Sequence, residues 1–175
     1  MAIWKIDPSH SEVQFKVKHL VISTVTGDFK QFDATLESAS EDFSDAKVSF
    51  TADINSISTG NDQRDGHLKS DDFFNAEKFP QLSFTSTGFK KVHGENYQLE
   101  GNLTIRDITK PVSLDVVYGG STKDGYGNHK AGFELAGKIN RQDFNLKWSA
   151  VTEVGSIVVS DEVRLVMNVQ FAKQS

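Results

Sequence analysis

Val163-Arg164-Leu165-Val166-Met167-Asn168-Val169-Gln170-Phe171 sets the period of this chain. Val163, Leu165, Met167, Val169 and Phe171 share one parity, and Glu162, Arg164, Asn168 and Gln170 share the other. Side chains in a strand point alternately to opposite faces, so this is a long strand with one apolar face. The same alternation runs through Val13–His19, Val48–Ile54, Tyr97–Ile105, Val112–Tyr118 and Ala131–Ile139, and less cleanly through Thr26–Leu36 and Leu82–Phe89. Turn signals separate the later runs: Gly88 to Asn96, Lys110-Pro111, and Gly119 to Asn128 with its four glycines. That makes about eight consecutive strands, mostly joined by hairpins. One segment departs from the period. Asp62 to Ser70, with Asn61 and Asp62 as cap candidates and an Asp65/Lys69 pair, reads as a short helix.

Runs of ten or more residues exceed the usual strand length and favour a barrel over a sandwich. Eleven residues at ~3.3 Å each, tilted near 40°, make a wall about 28 Å tall. The expected fold is all-β: an eight-stranded antiparallel up-and-down barrel with one short helix between strands three and four. Residues 1–175 form a single domain. Interior positions mix large residues with small ones such as Ala34, Ala52, Gly101 and Ala131. Small residues can interdigitate with large ones to fill a barrel, or can leave a tube, and the pattern alone leaves both open.

Composition removes several function classes. The 175 residues carry no Cys, so thiol chemistry and cysteine-based metal sites are excluded. A net charge of -5 argues against a nucleic-acid partner. No apolar run approaches the roughly 20 residues of a spanning helix. The opening residues have no signal-peptide pattern, so the chain as given reads as cytoplasmic, or periplasmic if a leader has been removed. No metal is expected from the five histidines at 10, 19, 67, 93 and 129, which show no close pairing. Asp7, His10 and Ser11 have the composition of a triad, but one extended segment would point His10 and Ser11 to opposite sides.

A larger pattern overlies these local ones. Trp4-x-Ile6-Asp7 with His10-Ser11-x-Val13-x-Phe15-x-Val17-x-His19 opens it, followed by Thr59-Gly60-Asn61, Arg64-Asp65 and His67-Leu68. Ser70-x-Asp72-Phe73-Phe74, Gly101-Asn102-Leu103-Thr104-Ile105, Thr109-Lys110-Pro111-Val112 and Ile139-Asn140-Arg141-x-Asp143-Phe144 with Trp148 complete it. Together they resemble the YceI-like family of lipocalin-shaped bacterial barrels across the whole chain. Two departures are Asn145 and Arg106-Asp107, where that family commonly has Gly. The resemblance implies a barrel holding a long isoprenoid or similar lipid in its pore.

The residues then sort into expected roles. Phe15, Val17, Phe29, Phe50 and Ala52 would build one part of the pore wall, and Leu99, Leu103, Phe133 and Met167 the rest. Leu68, Phe73 and Phe74 would cover one mouth. His19 shares the inward parity and is either satisfied by neighbours or offered to a ligand head group. Arg64 and His67, one helical turn apart, would either meet an anionic head or lock the helix to the rim. Arg141 should point inward near a strand end and close the barrel floor by stacking on Trp4 or Trp148. The expected function is non-enzymatic binding, sequestration or transport of a long-chain apolar small molecule, with no cofactor beyond that lipid, and a homodimer left open. The alternatives are an enzyme using His19 or His67 as general acid or base, and a filled barrel serving as an interaction module.

Overall fold

The computed structural model describes residues 1–20, 22–148 and 159–174. Eleven strands follow one another: β1 (Ala2–Ile6), β2 (Glu12–His19), β3 (Ser23–Phe29), β4 (Phe32–Ser38), β5 (Lys47–Asp53), β6 (Ile57–Ser58), β7 (Gln81–His93), β8 (Asn96–Ile105), β9 (Ile108–Lys123), β10 (His129–Asn140) and β11 (Val159–Lys173). Among the described residues there is one α-helix, α1 (Asp62–Lys69), between β6 and β7. Every ladder is antiparallel, and β1 pairs with both β4 and β11, which closes the sheet.

The eleven strands occupy eight places in the ring. β1 and β2 both pair with β11 and are two halves of one wall strand. β3 and β4 pair with those same halves, and β6 and β5 pair with β3 and β4 in turn. Three wall strands are therefore broken where the alternation was read as continuous or not read at all. At the first break Pro8 cannot donate to a ladder, and Asp7 caps a turn of 3-10 helix at Pro8–His10. At the second, Lys30 N–H turns away to the Ser56 carbonyl at 3.1 Å. The stretch from Gly119 to Asn128 is only in part the expected turn, since β9 runs on to Lys123.

Three glycines keep the interior open. Phe15 lies across Gly27 of the neighbouring strand, Phe84 across Gly101, and Leu114 across Gly137, each where a Cβ would collide. These large side chains lie flat on the wall instead of projecting to the barrel axis. At Gly101 the Cβ would also meet the Thr85 carbonyl oxygen at 2.5 Å, a backbone atom that cannot yield without disturbing the β7–β8 ladder. Gly101→Ala is therefore expected to cost about 1–3 kcal/mol as overpacking. Equilibrium denaturation reads this directly, and an unchanged midpoint would show that the two strands separate freely here.

Helix α1 starts where the sequence places it. The Asn61 side chain accepts from Arg64 N–H at 3.0 Å, capping the first turn. The expected Asp65/Lys69 pair is replaced by a different contact. Asp65 is buried and accepts from the backbone N–H and hydroxyl of Thr59. Arg64 donates to the hydroxyl and carbonyl of the same threonine, both at 2.7 Å. The two charged side chains pin the helix to the strand before it through Thr59.

Candidate functional site

The barrel encloses a cavity of about 140 Å³ whose wall is apolar except for Gln14. Of the residues expected in the wall, Phe15, Phe29 and Phe50 line it from the first half of the chain. Leu99, Leu103, Phe133 and Met167 line it from the second. Leu135, Val169 and Leu165 join them, and these three remain only half-buried although they point inward. They face unfilled space.

On β11 the lining runs from Leu165 to Phe171. Those six steps at ~3.3 Å and a tilt near 40° give about 15 Å along the axis. The cavity is thus shorter than the expected wall height, because both ends are occupied. Dividing the volume by that length leaves roughly 9 Å² for the centre of a water-sized sphere, a bore about 3 Å in radius. That width suits a single hydrocarbon chain, whose carbons meet wall carbons at about 3.5–4.0 Å.

One end is closed by a plug absent from the sequence reading. Phe43, in the 39–46 loop, is buried among Trp4 at 5.2 Å, Tyr118 at 5.4 Å and Phe133 at 5.4 Å. Its φ of 60° is costly for a bulky residue and is held by its surroundings. Tyr97 donates its hydroxyl to the Asp42 carbonyl at 2.8 Å, and Asp45 accepts from Ser38 and from Ala39 N–H at 2.8 Å. Burial pushes the Tyr97 phenol above its ordinary range, while the Ser38 hydroxyl and Ala39 N–H hold Asp45 below its own. The available signal was one phenylalanine inside Ser40-Glu41-Asp42-Phe43-Ser44-Asp45, an apolar residue with no period to justify it.

The other end carries the lid. Phe74 stands edge-on to Phe29 at 6.2 Å, and Phe73, His67 and Trp148 form a second cluster with ring separations of 4.8 to 5.7 Å. Leu68 packs against the same core, and its carbonyl accepts from Phe74 N–H at 3.0 Å. Arg106 ties the lid to the β8–β9 turn by donating to the carbonyls of Asp71 and Phe73 and to the Asp71 carboxylate. Both departures from the family pattern sit in left-handed backbone, Arg106 at φ 57° and Asn145 at φ 60°. Glycine takes that conformation without strain. At 106 the arginine side chain supplies a tie that glycine cannot.

Several expected site residues stand outside the bore. Val17 and His19 have the inward parity but do not line the cavity; they lie beyond Phe15, the last lining residue of β2, half-buried at the lid end. Parity gives the face and says nothing of the depth. Ala52 is fully buried, between Phe32 and Leu82 in register, and meets no cavity. Arg64 is engaged by Thr59, and His67 bonds Asp72 through Nε2 at 2.8 Å, so neither is aimed into the bore. Leu68, Phe73 and Phe74 lie over the mouth and not in the wall.

One further expectation is corrected. Arg141 is fully buried, and it does not stack on either tryptophan. It donates to the carbonyls of Ser160 at 2.9 Å, Leu146 at 2.5 Å, Trp148 at 2.7 Å and Val159 at 3.3 Å. Burial lowers its guanidinium below the ordinary value, against the pull of Asp161. Asp7 and His10 meet at 2.9 Å because the 3-10 turn folds the segment back, while the Ser11 hydroxyl accepts from Gln170 N–H at 3.0 Å. Ser9, His10 and Lys130 hold the Asp7 carboxyl far below the carboxylate range. Ser9 and Asp7 both approach Nδ1 of His10, so serine and carboxylate do not sit on opposite ring nitrogens as a triad requires. Among the described residues there is no group of three metal-ligating side chains, and no helix is long and apolar enough to cross a membrane.

Comparison with known proteins follows the same architecture. A family model described as YceI-like domain matches residues 4–171. Protein YceI of Salmonella newport (strain SL254) is 41% identical over 175 residues, covering 99% of this chain and 88% of that protein. The Campylobacter jejuni YCEI protein superposes with a TM-score of 0.77 at 36% identity over 90% of each chain. Burkholderia cenocepacia BcnA superposes at 0.80 and 23% identity, over 94% of this chain and 98% of that one. A polyisoprenoid binding domain from Saccharophagus degradans superposes at 0.70 and 16% identity, over 98% of each chain. At those identities the last two are likenesses of fold.

Proposed function

The chain belongs to the YceI-like domain family, and from that premise we infer that it binds a single apolar chain of polyisoprenoid type inside the barrel and carries or sequesters it unchanged. The observation that supports this reading is the bore itself: narrow, apolar and lying between plug and lid. Burying apolar surface is worth about 25 cal/mol per Å², so such a bore retains a chain by exclusion of water alone. The polyisoprenoid binding domain of like fold lends the ligand class. The lining residues include no acid, base or nucleophile, which favours storage or transfer over catalysis.

Organic extraction of freshly purified protein, followed by mass spectrometry, tests the reading. One polyprenyl-type lipid per chain is the expected result. Recovery of no lipid, with no uptake of added geranylgeraniol by the extracted protein, would overturn it in favour of an interaction module.

A further inference from the structure

With plug and lid over the two ends, the wall itself offers another way into the bore. β5 pairs with β7 only from Ser49/Thr85 to Asp53/Gln81. Beyond that point β5 continues to Lys47 and β7 to His93, and β7 bulges between Ser86 and Gly88. The two strands are tied there by a side chain: Val48 N–H donates to Ser86 Oγ at 2.8 Å. A cleft of about 450 Å³ opens on the outside of this slot. Ala46, Val48 and Phe89 line both the cleft and the bore, so their side chains stand between the two spaces.

The chemistry of the cleft differs from that of the bore. Thr35, Ser44, Ser49, Thr85, Ser86 and Thr87 bring hydroxyl groups to it. Its charged residues are Glu37 and Asp45 against Lys47, a surplus of one negative charge. Hydroxyls donate and accept, and so match an alcohol, a ketone or an amide. A diphosphate would face the two carboxylates with one lysine to offset them. Arg64, the cation the sequence offers for an anionic head, lies at the lid end and is bonded to Thr59.

We propose that the slot between β5 and β7 is the portal of the barrel and the seat of the ligand's polar head, a neutral hydrogen-bonding group, with the chain passing over Val48 and Phe89 into the bore. This deepens the carrier reading and rests on it. Gly88 is the useful handle, because a Cβ there meets nothing nearer than Glu100 Oε2 at 4.0 Å and a large side chain can grow across the cleft.

The test compares geranylgeraniol with geranylgeranyl diphosphate, followed by stopped-flow fluorescence of Trp4 and Trp148. The unmodified protein should bind the alcohol at least about tenfold more tightly than the diphosphate. Gly88→Trp should slow both association and dissociation of the alcohol by about tenfold or more. Thr87→Trp, at an exposed neighbouring position, serves the same purpose if Gly88→Trp does not fold. Equal affinity for the two probes overturns the neutral head. Unchanged rates in the cleft variants, with faster exchange in Arg106→Ala, overturn the portal and place the gate at the lid. Failure of the unmodified protein to bind either probe removes the carrier reading itself, a result distinct from both.

Discussion

Arg141→Ala should lower the melting temperature by roughly 10 °C or more, the largest stability loss expected of any single substitution in this barrel. The guanidinium is 2% exposed and holds four backbone carbonyls that belong to two separate stretches, Leu146 and Trp148 on one side and Val159 and Ser160 on the other. Those carbonyls lie where the chain leaves β10 and where it re-enters the wall as β11. Removing the donor takes a buried partner from all four at once. An unsatisfied buried polar group costs about 1–3 kcal/mol, and breaking a buried charged network about 3–5 kcal/mol. Arg141→Lys should recover less than half of the loss. One ammonium keeps the charge but cannot present a planar fork of donors to four oxygens. Thermal and urea denaturation of both variants settle the point, and full rescue by lysine would mean that the charge, and not the fork, holds this end together.

Leu135→Trp should abolish binding while leaving the fold standing. Leu135 is half-buried, points into the bore and pairs with Met167 and Val116 across its neighbours. An indole there grows into empty space and blocks the path of a chain. Geranylgeraniol affinity should fall at least about 100-fold, equivalent to about 2.8 kcal/mol, with the lipid-free melting temperature within a few degrees of the parent. Ala52→Phe should behave in the opposite way. Its methyl is fully enclosed, so a ring overfills packed wall and costs about 1–3 kcal/mol or more. Titration of the alcohol and calorimetry on both variants give a two-by-two outcome. Collapse of Leu135→Trp with binding intact in its folded fraction would show that the ligand lies elsewhere than the bore.

Some of this was legible before any coordinates. Period-two alternation assigned the inward face of β2, β8, β10 and β11, because a strand's pleat fixes parity whatever the strand later pairs with. The cap at Asn61 and the polar run behind it located α1 to within a residue, since helix starts are decided by local hydrogen bonding. Strand length favoured the barrel and the family motifs implied its pore, and the two departures from those motifs fell at positive-φ positions where glycine is the easy choice.

The rest belonged to the tertiary structure. Phe15 and Ala52 have the same inward parity, yet one borders empty space and the other is sealed in the wall. Parity cannot tell them apart, because depth along the axis depends on the stagger between neighbouring strands. His19 falls past the lining for the same reason. Phe43 became a plug only because a polar loop closes over one end of the barrel and sets the ring among Trp4, Tyr118 and Phe133, which lie far from it in sequence. Two of the carbonyls that hold Arg141, those of Val159 and Ser160, become partners only once β10 and β11 are side by side. Local sequence determined which way each side chain points. Ring closure determined what it points at, since empty space in a barrel is a property of all its strands at once.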